Sequence, residues 1–98
     1  MKIENIRFLE VKDSPTPEDA EDGILYATCD DFGAWRGDFN CPCGCGDLIS
    51  LSFLGTDSPR WSLSVDDHNL PTVRPSVQRT CGCKSHFNIE HGKVVWCT

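Results

Sequence analysis

The stretch CPCGCG, residues 41–46, places three cysteines at alternate positions and constrains the fold more than any other feature of the chain. A disulfide between such close neighbours is unfavourable, because bridged cysteines need Cα atoms about 4.4–6.8 Å apart and converging Cβ vectors. Side chains two residues apart share one face of an extended segment, so the three thiols can point to one side. A shared metal ion is therefore the simpler explanation.

Cysteine usage and charge limit the compartment and the partners. The chain has seven cysteines, an odd number, and no recognisable export signal, so a disulfide framework is disfavoured and metal binding is favoured. We expect a soluble, cytoplasmic protein, and no segment approaches the roughly 20 apolar residues of a membrane span. The net charge of -6, from 15 acidic and 9 basic residues, argues against a nucleic-acid partner.

The length of 98 residues predicts one domain, residues 1–98, with a small core. A core of this size supplies about 3–5 kcal/mol, whereas structural zinc contributes about 10–16 kcal/mol in small modules. We therefore expect metal binding to decide whether the chain folds.

Alternating apolar side chains predict strands, and no segment of ordinary length has helical periodicity. The fold class is expected to be all-β, a small single domain of about six or seven short strands organised around a structural zinc site. The predicted strands are 3 or 6 to 12, 24–29, 48–54, 60–66, an interrupted extended piece at 72–77, and a hairpin over 86–97 that turns at His91 and Gly92.

The connections between these strands carry further expectations. An acidic loop is predicted at about 13–23, with at most one helical turn that Thr16 would cap. The segment 30–35 reads as a turn. The strand 60–66 is expected to pair with 48–54 through the GTDSP sequence between them.

Zinc needs four ligands, so at least one must come from the second cysteine cluster, CGCKSH, residues 81–86. Two sets remain open on the residues alone. One is Cys41, Cys43, Cys45 and Cys83; the other pairs Cys83 and His86 with two of the first three cysteines. Thiolate-rich tetrahedral sites also accept iron. The alternative to a metal site is a cluster of reduced thiols that binds no metal. The remaining cysteines, Cys29, Cys81 and Cys97, are interpreted as small buried hydrophobic residues.

The motifs CPCGCG, RWSL, PTVRPSV, CKSHF and the final VVWC together resemble a bacterial family of small domains found near genes for ubiquitin-like proteins and their E1-like and E2-like enzymes. The resemblance covers about residues 35–96. It implies a processing or deconjugating peptidase of serine type, stabilised by a structural metal and acting on a ubiquitin-like protein or its conjugates. It also implies partnership with the E1-like and E2-like enzymes.

Carried onto this chain, the family pattern matches Cys41, Cys43, Cys45 and Cys83 as recurring thiols. The resemblance therefore favours the all-thiolate zinc set and leaves His86 for other work. Ser76, Ser85 and His86 match as recurring polar residues and are the candidate catalytic residues.

Nucleophilic catalysis needs a serine within hydrogen-bond reach of a histidine, with an acid to orient the ring. We predict Ser76 as the nucleophile and His86 as the general base, with Asp66 or Asp67 orienting the imidazole. Ser85 is the poorer nucleophile, because neighbours on a strand face opposite sides. The chain has no GxSxG motif. The alternative roles are capping of the backbone for Ser76 and metal ligation for His86.

Two other functions compete with the serine peptidase. A zinc-dependent hydrolase is disfavoured, because three or four thiolates suit a structural ion and the chain lacks HExxH. A non-catalytic zinc-binding adaptor of the same conjugation pathway is the stronger alternative. It would present Trp35, Trp61 or Phe39 to a protein partner, although such residues usually belong to the core.

Overall fold

The computed structural model describes residues 2–79 and 82–97, and these residues form eight β-strands. The first sheet has the order β1-β2-β3-β4, with β1 parallel to β2 and the other neighbours antiparallel. Its strands are β1 (Arg7–Val11), β2 (Ile24–Asp30), β3 (Gly33–Asn40) and β4 (Leu48–Ser52). Between β1 and β2, the Thr16 carbonyl accepts hydrogen bonds from the N–H groups of Asp19 and Ala20 in a single turn.

The second sheet is antiparallel throughout and has the order β5-β6-β7-β8. Its strands are β5 (Ser62–Val65), β6 (Pro71–Gln78), β7 (His86–Glu90) and β8 (Lys93–Trp96). The predicted hairpin is confirmed: His91 and Gly92 both have positive φ and join β7 to β8. Positive φ at both central residues matches the twist of a two-residue hairpin turn.

One hydrophobic core lies between the two sheets. Leu25, Phe39 and Leu51 reach it from the first sheet, and Val73 and Phe87 reach it from the second. The rings of Phe39 and Phe87 meet edge to face with centroids 6.2 Å apart. Because Phe87 is inward and fully buried, its strand neighbour His86 faces away from this core.

The predicted all-β fold class is confirmed, since the described residues contain strands and turns but no helix. No helix in this part of the chain is long and apolar enough to cross a membrane.

Two local predictions were wrong. The segment 30–35 is not simply a turn, because β3 begins at Gly33 and runs to Asn40. Its charged Asp38 is fully buried and bonded to Arg36 and Ser50, which hides the strand pattern in the sequence.

The strand that follows the GTDSP sequence pairs with β6, not with β4. One backbone bond from Trp61 N–H to Ser52 O marks the point where the chain leaves the first sheet.

Candidate functional site

Four cysteine sulfurs converge where the two sheets meet. The Sγ atoms of Cys41, Cys43, Cys45 and Cys83 all lie within 4.8 Å of one another. Cys41 directly follows β3 of the first sheet, and Cys83 lies in the turn before β7 of the second sheet. The structure therefore brings together, from positions 42 residues apart, the thiols of the set that the family pattern favoured.

Tight turns carry the thiols of the first segment to one side. The N–H of Cys41 donates to Asp47 O, and the N–H of Gly44 donates to Cys41 O. Gly44 and Gly46 have φ values of 87° and 88°, a conformation that glycine adopts without strain. This explains why a glycine follows both Cys43 and Cys45.

The spacing of the sulfurs fits a tetrahedral metal site. With Zn–S bonds of about 2.3 Å, tetrahedral geometry separates the sulfurs by about 3.8 Å. The Cys41–Cys43 and Cys41–Cys83 sulfur pairs are 3.4 Å and 3.6 Å apart. These distances far exceed the roughly 2.05 Å of a disulfide bond, and all four cysteines are free. The cluster can hold a thiophilic metal ion such as zinc or iron.

The surroundings of the sulfurs bear on their ionisation. Burial raises the pKa of the Cys41 thiol to about 12. The pKa of the Cys83 thiol is lowered to about 6, chiefly by its hydrogen bond with the Ser85 hydroxyl. A bound cation would hold both groups as thiolates. The Arg79 guanidinium lies 3.7 Å from the sulfurs of both Cys45 and Cys83 and supplies positive charge beside the cluster.

His86 is not among the residues of this cluster. A hydrogen bond of 2.9 Å joins its Nε2 to Ser76 Oγ instead. The alternative ligand set with Cys83 and His86 therefore does not match the arrangement of the described residues.

Strand register explains how Ser76 and His86 meet. Residues 74–76 of β6 face only residue 88 of β7, because the register shifts between the Val73–Ile89 and Val77–Phe87 pairs. His86 is paired directly with Gln78, so Ser76 is its diagonal neighbour on the outward face. Diagonal neighbours on one face lie within reach of long side chains.

Neither of the acids considered as the orienting group reaches this pair among the described residues. The Asp66 carboxylate accepts the N–H groups of His68 and Leu70 and pairs with His91 at 3.2 Å. The pKa of the Asp66 carboxyl is lowered, chiefly by the hydrogen bond that the Leu70 N–H donates to it. Asp67 makes no hydrogen bond to His86 in this part of the chain.

Ser85 lies on the metal-cluster side of the site. Its Oγ is 3.1 Å from Cys83 Sγ and 3.9 Å from Cys41 Sγ. No hydrogen bond among the described residues joins it to His86, consistent with the opposite facing of strand neighbours.

The Ser76–His86 pair opens into a cleft of about 550 Å³. Asn88 and Cys97 line the cleft beside the pair, and Asn88 Nδ2 donates to Cys97 Sγ at 3.5 Å. Trp61 Nε1 donates to the Ser76 carbonyl at 3.3 Å and so fixes the backbone that carries the hydroxyl. Asn88 was not among the predicted site residues, although its position two residues after His86 places it on the same face of the strand.

The burial of the remaining cysteines and of the candidate aromatic anchors differs in part from what the sequence predicted. The prediction of burial was wrong for Cys29 and Cys97, which are half-buried, and Cys81 lies outside the described residues. Phe39 is a core residue and cannot serve as a surface anchor, while Trp35 and Trp61 are half-buried.

Comparison with known proteins gives one family. A model of the family described as bacterial ubiquitination-like system serine protease (BubE) matches residues 11–97. No curated protein and no solved structure matches the chain significantly. The match spans nearly the whole chain and confirms the resemblance to a family of bacterial ubiquitin-like systems. The chain therefore belongs to the BubE family of bacterial ubiquitination-like system serine proteases.

Proposed function

We propose that the chain is a serine peptidase that processes or deconjugates a bacterial ubiquitin-like protein, with a structural zinc ion holding its active site in place. The family description supports both the serine chemistry and the ubiquitination-like setting. The observation that carries the proposal is the 2.9 Å hydrogen bond between Ser76 Oγ and His86 Nε2 beside an open cleft.

In this proposal Ser76 is the nucleophile and His86 is the general base. Nε2 takes the hydroxyl proton as Oγ attacks the carbonyl carbon of the scissile bond, and it returns that proton to the departing amine. The serine ester that remains is then hydrolysed by a water molecule, which His86 deprotonates in the same way. His86 returns that proton to Ser76 Oγ as the ester C–O bond breaks, so the carboxylic acid product leaves and the serine hydroxyl is restored.

Backbone contacts hold the two catalytic groups in position. The indole of Trp61 binds the Ser76 carbonyl, and the Cys97 N–H donates to the His86 carbonyl at 2.9 Å. No carboxylate among the described residues bonds to the His86 ring. We therefore propose that the pair acts as a dyad, with the sheet providing the orientation that an acid provides in a triad.

The proposed zinc ligands are Cys41, Cys43, Cys45 and Cys83. Four thiolates close a tetrahedral site and leave no open position, so the ion would supply cross-linking rather than Lewis-acid catalysis. Cys83 lies three residues before His86, so a fixed Cys83 also fixes the start of β7. Ser85 is proposed to support Cys83 through its hydrogen bond.

The proposed partners are a bacterial ubiquitin-like protein and the E1-like and E2-like enzymes that conjugate it. We place the protein in the cytoplasm, where thiols stay reduced and available to a metal. We propose that residues 1–98 form one zinc-stabilised domain.

Intact-mass measurement tests the proposal. A bacterial ubiquitin-like precursor with residues beyond its conjugation site, and a conjugate, are incubated with the wild-type protein, with Ser76→Ala and with the matched control Ser64→Ala. Ser64 is exposed on β5 and lies outside the cleft. Wild type and Ser64→Ala should shorten the precursor or split the conjugate.

Ser76→Ala should keep its metal content and thermal unfolding midpoint but lose cleavage by at least about 100-fold. If wild type leaves both substrates unchanged while still binding them, the adaptor function replaces the peptidase. Full activity in Ser76→Ala would refute the assignment of the nucleophile.

A further inference from the structure

A second cavity adjoins the Ser76–His86 cleft and extends it into a groove. This cavity measures about 560 Å³, and it shares Ser62, Arg74 and Pro75 with the cleft. Trp61 and Phe53 give the second cavity an apolar wall. The groove therefore runs from the serine–histidine pair across β5, which is an edge strand of its sheet.

Two guanidinium groups line this groove. Arg74 borders both cavities and Arg60 borders the second, and both are exposed. No ion pair within residues 2–79 and 82–97 engages either one. Among the residues that the structure describes, the Arg60 side chain donates only to the Gly55 carbonyl. Ser62 Oγ donates to the carbonyl of Arg74.

The groove has the opposite charge to the protein as a whole. The chain carries 15 acidic residues and a net charge of -6, yet no aspartate or glutamate of the described residues lines either cavity. Unpaired guanidinium groups recognise carboxylates with charge-assisted hydrogen bonds. The two arginines therefore favour binding of an anionic group in this groove, although the net charge of the whole protein is negative.

We propose that this groove binds an extended, acidic segment of the substrate polypeptide, with Arg74 and Arg60 contacting the carboxylates of its aspartate or glutamate side chains. The inference rests on the proposed peptidase function, because it assigns the substrate segment next to the scissile bond. Side-chain carboxylates are favoured over a single terminal carboxylate, because the two arginines border different parts of the groove. Nucleic acid is disfavoured, because two cations in an acidic protein neutralise few phosphates.

Fluorescence anisotropy with the Ser76→Ala protein tests the groove without requiring hydrolysis. The probes are labelled eight-residue peptides of glycine and serine with one leucine for the apolar wall. They carry two glutamates with an amidated end, two glutamines with an amidated end, or two glutamines with a free terminal carboxylate. Arg74→Gln and Arg60→Gln are compared with Arg7→Gln, which removes an exposed arginine outside the groove.

The glutamate peptide should bind about fivefold more tightly than the amidated glutamine peptide at low salt, since exposed charge pairs each contribute modestly. Arg74→Gln and Arg60→Gln should each reduce this preference, and Arg7→Gln should leave it unchanged. Equal affinities, including no measurable binding of either peptide, would overturn the inference. So would a preference that survives both groove substitutions, a preference for the free terminal carboxylate, or tighter binding of a labelled oligonucleotide. A carboxylate preference without any hydrolysis by wild type would retain the groove and reject the peptidase.

Discussion

Removal of the metal is expected to lower the unfolding temperature by about 20 °C or more. Cys41 and Cys83 are 42 residues apart and belong to segments of different sheets, so an ion that binds both closes a long loop. Closing a loop of this length stabilises the folded state by about 4 kcal/mol through the entropy of the unfolded chain alone. For 98 residues the unfolding entropy is about 0.2 kcal/mol/K, which converts this free energy into the stated shift.

The assay compares thermal unfolding by circular dichroism before and after chelation under reducing conditions, with metal counted by elemental analysis. Cys83→Ser should reproduce the chelated behaviour. The matched control is Cys29→Ser, which alters a half-buried cysteine of β2 outside the cluster. It should retain the metal and shift the midpoint by less than about 5 °C. A protein that purifies without metal, or that keeps its midpoint after the metal has gone, would refute the reasoning.

Three further results are expected. His86→Ala should keep its metal and lose cleavage by at least about 100-fold, while His68→Ala keeps both; metal loss in His86→Ala would instead make His86 a ligand. Arg79→Leu should weaken metal binding about 10- to 100-fold in chelator competition, because it removes the cation beside two sulfurs; unchanged affinity would contradict this role. The Asp66 pKa is depressed on folding, so its stabilisation is present above the unfolded value of about 3.9 and is lost as the pH falls through the folded value. Asp66→Asn should therefore be less stable than wild type at pH 6, and the difference should disappear in acid; a gap that persists at pH 2 would argue against this linkage.

The strands that the sequence predicted well are those with clean alternation. The β7–β8 hairpin carries inward Phe87 and Ile89 and turns at His91 and Gly92, and its structure matches the prediction. β3 was missed because buried Asp38 makes its bonds to Arg36 and to Ser50, which lies on β4. Burial of a charge depends on partners from other strands, so no local pattern could reveal it.

The candidate site was likewise predictable from the sequence only in part. The spacing CxCxC predicted that three thiols could point to one side, and the family resemblance favoured Cys83 over His86 as the fourth ligand. In the structure tight turns, with positive φ at Gly44 and Gly46, bring those thiols together. The pairing of β5 with β6 was not predictable, since a turn-like sequence between two strands does not state whether the chain stays in one sheet. That pairing is what brings Ser62 and Arg74 together in the groove.

Residue type and short-range periodicity in the sequence predicted the all-β class and the cysteine cluster, and the family resemblance supplied the candidate residues Ser76 and His86. Only the tertiary structure decided that Ser76 reaches the His86 ring, that neither Asp66 nor Asp67 does, and that two arginines border the resulting cleft. The physical reason is register: three residues of β6, 74–76, lie opposite one residue of β7, and this offset of two residues places Ser76 diagonally beside His86. Contacts between strands follow from that shift and from the packing of the two sheets.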